Sequence, residues 1–117
     1  MYQILKKMHE RYPDIKGLLS NIPIKQRFTK ALSEIRANRK NTLKTVVFDF
    51  SKETKNCLEQ DIIQAAVTQR PFHQGYYAIH LLYNYLSHSL NEVGDYYVNL
   101  DIAFKENIDQ IENTHLF

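Results

Sequence analysis

Thr45-Val-Val-Phe-Asp-Phe50 is the one segment of this chain in which β-branched and aromatic residues dominate, and its reading decides the fold class. A strand needs a neighbour for its backbone groups, and the sequence offers no second run of the same character. The simplest reading is a buried extended connection. The alternatives are a piece of helix, or a strand that pairs across a dimer. Three Gly and three Pro in 117 residues are too few for a sandwich, which needs a turn signal every ten residues or so. The expected fold is therefore all-α, a compact bundle of four to six helices.

Outward from that segment, both flanks carry helical patterns. On the amino-terminal side Ile24, Phe28, Ala31, Leu32 and Ile35 recur at helical spacing behind Pro23, which suits a first turn. The stripe fades at Asn38-Arg39-Lys40-Asn41. Further upstream, Gln3–Arg11 reads as a short helix interrupted by Tyr12-Pro13-Asp14, and Ile15–Leu19 as one more helical turn. On the carboxy-terminal side Ser51 is placed as an N-cap, with Leu58, Ile62, Ala66 and Val67 on one face of the helix that follows.

From Pro71 to about Glu112, apolar residues follow one another at three- and four-residue steps. As one helix, this stretch would extend roughly 60 Å at 1.5 Å per residue. It is expected as a long amphipathic helix or as a hairpin folded near Gly94, its one weak point. The whole chain, 1–117, reads as a single helical domain in which residues 114–117 form a short tail.

Composition limits the setting. The chain is 44% hydrophobic and 24% charged, values of a folded protein and not of a disordered one. Cys57 stands alone, so no intrachain disulfide forms, and beside Leu58 and Ile62 it reads as a small core residue. Met1-Tyr-Gln-Ile-Leu-Lys-Lys7 lacks the apolar core of a signal peptide, and no run is long enough to span a bilayer. A cytoplasmic location with no membrane partner is the expectation.

Charge is divided unevenly. Residues 1–58 hold thirteen Lys and Arg against five acids, a net +8; residues 59–117 hold two against eight, a net −6. Such a split suits an anionic partner for the basic half, nucleic acid or acidic protein, or halves that attract each other. Arg27, Lys30, Arg36, Arg39, Lys40 and Lys44 are the candidate phosphate contacts. No helix-turn-helix spacing, zinc finger or RNA-binding signature accompanies them. A solvated helix face is the plainer meaning of the same residues.

Six of the eight tyrosines lie between residues 76 and 97. Tyr76 and Tyr83 flank one side of the aliphatic stripe, and Tyr85 and Tyr96 flank the other. With Tyr97 they form a candidate surface for a homodimer, or the rim of a core helix.

Three patterns bear on chemistry. His73, His80 and His88 share a helical sector, but seven residues separate the first two, roughly 10 Å along an axis and too far for one zinc. His80-Leu-Leu-Tyr-Asn84 is similar to the phospho-acceptor helix of some histidine phosphotransfer proteins, although Leu81 stands where those carry an acid. Glu92-Val-Gly-Asp95, continuing into Tyr96-Tyr-Val-Asn-Leu100, resembles half of the motif in all-α nucleotide pyrophosphohydrolases of the MazG type. That resemblance covers about the last quarter of the chain and implies Mg²⁺ bound by paired acids, here Glu92 and Asp95 with Glu106 and Asp109. The family's preceding Glu-x-x-Glu is absent. The reading that follows is a small non-catalytic binding or regulatory module with no cofactor, a basic front for an anionic partner and tyrosine-rich helices for self-association. The pyrophosphohydrolase is the alternative.

Overall fold

The structure is a computed structural model that describes residues 2–22, 24–38, 43–88 and 94–114. It is an α/β fold, not a helical bundle. Helix α1 (Tyr2–Arg11) leads into strand β1 (Gly17–Ser20), followed by α2 (Gln26–Asn38), β2 (Lys44–Phe48), α3 (Lys52–Glu59) and β3 (Ala65–Thr68). Helix α4 (Pro71–His88) comes next, then β4 (Asp101–Ala103), a 3-10 turn (Lys105–Asn107) and α5 (Ile108–Thr114). The strands form one sheet in the order β1-β2-β3-β4. β1, β2 and β3 are parallel, and β4 closes the edge antiparallel to β3.

Segment 45–50 thus supplies a central strand, and its two neighbours are segments to which helical spacing points. Leu18 and Leu19 lie opposite Thr45 and Val46, and Ala65 to Val67 lie opposite Val46 to Phe48. Strands of four or five residues that bury one face cannot be told from a helical turn by periodicity. Parallel strands are joined through helices, not tight turns, so the scarcity of Gly and Pro excludes a sandwich but not this sheet. The long carboxy-terminal helix is also corrected. α4 ends at His88, residues 94–100 have no regular secondary structure, and 101–103 pair with β3.

One face of the sheet carries the core. Leu18, Val47, Ala66 and Ala103 point towards α1, α2, α3 and α5, where they meet Leu5, Phe28, Leu32, Ile35, Leu58 and Ile108. The helical reading of α2 holds here, whereas that of α3 holds only for its start: the helix ends at Glu59, short of Ile62, and Ala66 and Val67 belong to β3. The stripe Ile24, Phe28, Ala31, Leu32, Ile35 is buried throughout, and the Ser51 hydroxyl caps α3 by accepting from the Thr54 amide at 3.2 Å. Ser51→Ala is expected to cost about 1 kcal/mol, read as a lowered midpoint in urea at unchanged slope.

The other face is different. Register places Leu19, Val46 and Ala65 in one row and Phe48, Val67 and Ile102 in the next. Leu19 and Ile102 at the two edges are exposed, and Val46, Phe48 and Val67 remain part-exposed. Helix α4 is open as well. None of its described side chains is buried, it contains no Asp, Glu, Lys or Arg, and Ile79 and Leu86 are 72% and 70% exposed. The result is elongated, 61 × 29 × 20 Å. Its radius of gyration is 18.4 Å, where a compact chain of this length has about 13 Å.

Candidate functional site

Three parallel strands direct their carboxyl ends to one edge of the sheet, the place where open α/β sheets hold ligands. The residues that follow those strands are polar. Asn21 follows β1 and is exposed, Asp49 follows β2, and Gln69 and Arg70 follow β3. The antiparallel β4 begins at this same edge, with Asp101 opposite Thr68.

Asp49 is held from several directions. Its φ of 69° is in the left-handed region, which Asp tolerates better than most residues. Its amide donates to the Val67 carbonyl at 2.9 Å, and its own carbonyl accepts from the Thr54 hydroxyl at 3.2 Å. The backbone is therefore locked between β3 and the start of α3. Its carboxylate Oδ1 accepts from Gln69 Nε2 at 3.1 Å. The Gln69 carbonyl in turn accepts from Gln74 Nε2 at 2.6 Å, in the first turn of α4.

Arg70 is the next residue, with φ 48°. Its guanidinium grips Asp101 with two bonds, Nε to Oδ2 at 2.6 Å and a second nitrogen to Oδ1 at 2.7 Å. Asp49 and Arg70 are two of the three non-glycine residues with positive φ among those described, Asp61 being the third. Backbone conformations of this kind cluster where a site must be held in one geometry. A carboxylate beside a primary amide supplies closely spaced acceptors and donors, which is what neighbouring hydroxyls of a neutral ligand require.

The basic residues named from the sequence do not gather at this edge. Arg27 and Lys30 are exposed on α2, Arg36 is half-buried near its end, and Lys44 opens β2 at the opposite end of the strand from Asp49. Arg39 and Lys40 lie outside the described residues, as does Glu92. Three ion pairs among the described residues each join partners from the same half of the sequence: Lys6 with Glu34, Arg70 with Asp101, Lys105 with Asp61.

The acid pairs do not share a helix. Asp95 sits in the irregular stretch 94–100, Glu106 in the 3-10 turn and Asp109 in α5, so the two-helix metal cage of the pyrophosphohydrolase reading has no scaffold. Tyr76, Tyr83 and Tyr85 are exposed on α4, while Tyr96 and Tyr97 belong to the irregular stretch 94–100. Tyr96 packs against Tyr77 with ring centroids 4.2 Å apart. His80 is engaged locally, stacked on Tyr76 and hydrogen-bonded to Asn84 at 3.1 Å. Cys57 is buried, and that burial pushes its thiol up, away from nucleophilic use.

Two exposed pairs depress carboxyl groups. The Tyr2 hydroxyl donates to Glu34 Oε2 at 2.6 Å and Lys6 lies 3.0 Å away. The tyrosine bond first, then the lysine, holds Glu34 below its usual range. Lys105 at 2.7 Å does the same for Asp61. A carboxyl depressed in the folded state contributes stability above its unfolded value, and that contribution is lost as pH falls through the folded value. Stability should therefore decline as pH drops below the ordinary carboxylate range. The Glu34→Gln/Asp61→Asn double variant should flatten that decline slightly in thermal melts, since exposed pairs contribute little.

No protein-family profile matches this chain, and no curated protein matches it either. Solved structures do share its fold. A periplasmic ribose ABC transporter protein from Conexibacter woesei superposes with a TM-score of 0.78 at 15% identity, covering 96% of this chain and 38% of its own. A protein assigned as a LacI transcriptional regulator from Bacteroides fragilis gives 0.76 at 23% identity, covering 93% and 37%. A carbohydrate transporter solute binding protein from Agrobacterium radiobacter, in complex with D-arabinose, gives 0.73 at 21% identity, covering 97% and 38%. The chain thus spans little more than a third of the length of each. The α/β sheet and this likeness overturn the all-α bundle, and the neighbours support neither the nucleic-acid-binding module nor the pyrophosphohydrolase alternative.

Proposed function

We propose that this chain forms one wall of a sugar-binding site, in which Asn21, Asp49 and Gln69 recognise ligand hydroxyls. The observation that carries this reading is the Asp49 carboxylate held beside the Gln69 amide at the carboxyl ends of adjacent parallel strands. Two of the similar structures, the solute binding protein in complex with D-arabinose and the ribose ABC transporter protein, support the ligand class.

The chemistry is recognition without turnover. A carboxylate accepts hydrogen bonds from two hydroxyls at once, and charge-assisted bonds of this kind are about twice as strong as neutral ones. Amide side chains add both donors and an acceptor oxygen, which distinguishes hydroxyl configurations. A single wall leaves the ligand half solvated. The open sheet face and the uncharged, uncovered α4 fit a wall that works against a second surface.

Ligand-observed NMR with the purified chain tests this. Saturation transfer from protein to D-ribose and D-arabinose is expected, competed by excess unlabelled sugar and lost in Asp49→Asn. Absence of transfer to any aldopentose or aldohexose at millimolar concentration would overturn the reading.

A further inference from the structure

Arg70 and Asp101 stand where the chain leaves the sheet for α4 and where it comes back. The outward passage is Thr68 to Pro71, and the return enters β4 at Asp101, directly opposite Thr68. Two strand ends side by side would be tied only by the ladder. Here they carry a two-bond guanidinium–carboxylate pair whose side chains are 28% and 19% exposed, less solvated than Lys6–Glu34 or Lys105–Asp61. Such a fork-to-fork contact constrains direction as well as distance.

That geometry matters for the residue before it. Arg70 has φ 48°, a conformation a bulky side chain enters only when its surroundings hold it there. The two bonds to Asp101 supply that hold. Gln69 is consequently trapped between a locked residue and the first turn of α4, with its carbonyl bound to Gln74 and its amide turned to Asp49.

We propose that Arg70 and Asp101 are positioning residues: their pairing holds Gln69 against Asp49 and sets the direction in which α4 leaves the sheet. This rests on the sugar-site reading for its consequence in binding, but not for its structural part. If the pair is broken, Arg70 relaxes, the Gln69 amide leaves the carboxylate, and the donor–acceptor pair presented to the ligand is lost. Sugar affinity should then fall about five- to tenfold without any change in a residue that touches the ligand.

Two variants in the full 117-residue chain test this. Asp101→Asn keeps shape at β4 and removes the charge. Arg70→Gly removes the guanidinium and also relieves the backbone, which separates the ion pair from the strain. Both are read by the side-chain amide signal of Gln69 in ¹⁵N correlation spectra, by the backbone amides of Gln74 and Tyr76, and by D-arabinose titration. In Asp101→Asn the Gln69 signal should move towards its unbonded position and exchange faster with water, and in Arg70→Gly, where positive φ carries no strain, it should move less, while Val47 and Ala66 amides stay in place in both. An unmoved Gln69 signal in Asp101→Asn would overturn the proposal, and so would collapse of the Val47 and Ala66 signals, which would make the pair merely structural. If the unaltered chain binds no sugar, the sugar reading fails, while the Gln69 signal still decides the positioning role.

Discussion

Asp49→Asn is expected to weaken sugar binding by about tenfold to a hundredfold. The substitution keeps size and shape, and Asn tolerates the left-handed φ of 69° as well as Asp does, so the fold should survive. What disappears is a charged acceptor. Hydrogen bonds to charged groups contribute about 1.5–3 kcal/mol each, and every 1.4 kcal/mol is a factor of ten. The amide of the variant keeps one acceptor, Oδ1, for Gln69 Nε2 and presents a donor where the other carboxylate oxygen stood. Asp49→Ala should lose at least as much affinity and, because Ala at positive φ is strained, some stability too. Isothermal titration with D-arabinose, alongside denaturation of each variant, separates the two effects. Equal affinities before and after the Asp49→Asn substitution would remove the carboxylate from the site.

The second large effect is on stability. Leu32→Ala in α2 should destabilise the chain by about 2–5 kcal/mol, because Leu32 is fully buried and its neighbours cannot all collapse into the space it leaves. A small domain has only about 5–15 kcal/mol in total. This one covers just one face of its sheet, so it has less margin than most. The variant should be largely unfolded or strongly shifted in urea, whereas Leu19→Ala on the open face should change little. Similar midpoints for the two would show that the core sits elsewhere.

Some of this architecture is legible in the residues. The buried stripe of α2, the Ser51 cap and the break after α1 all rest on local signals, spacing and hydrogen-bonding side chains, which survive without tertiary context. The sheet is not. β1 is Gly-Leu-Leu-Ser and β3 is Ala-Ala-Val-Thr, neither of which carries the β-branched density that marks β2. β1 and β3 each reach β2 only through an intervening helix, so no turn residue announces the pairing.

The steps from Ile79 to Ile111 mislead for a second reason. They run through α4, most of whose apolar residues are exposed, then through an irregular stretch and the three-residue β4, so the spacing joins segments that share no helix. The site itself escapes a sequence reading because single polar residues after short strands, Asn21, Asp49 and Gln69, form no motif. Only the parallel order of β1, β2 and β3 brings their carboxyl ends to one edge. The one available clue is a polar residue ending an apolar run twice over, at Phe48-Asp49 and at Thr68-Gln69.

The central claim is that the carboxyl edge of the three parallel strands receives a sugar. Titrating ¹⁵N-labelled chain with D-arabinose and following every amide tests it most directly. Saturable shifts confined to Asn21, Asp49, Gln69 and their immediate neighbours are the predicted result. Shifts that instead map to Arg27, Lys30 and Lys44, or no saturable shift at any strand end, would contradict it.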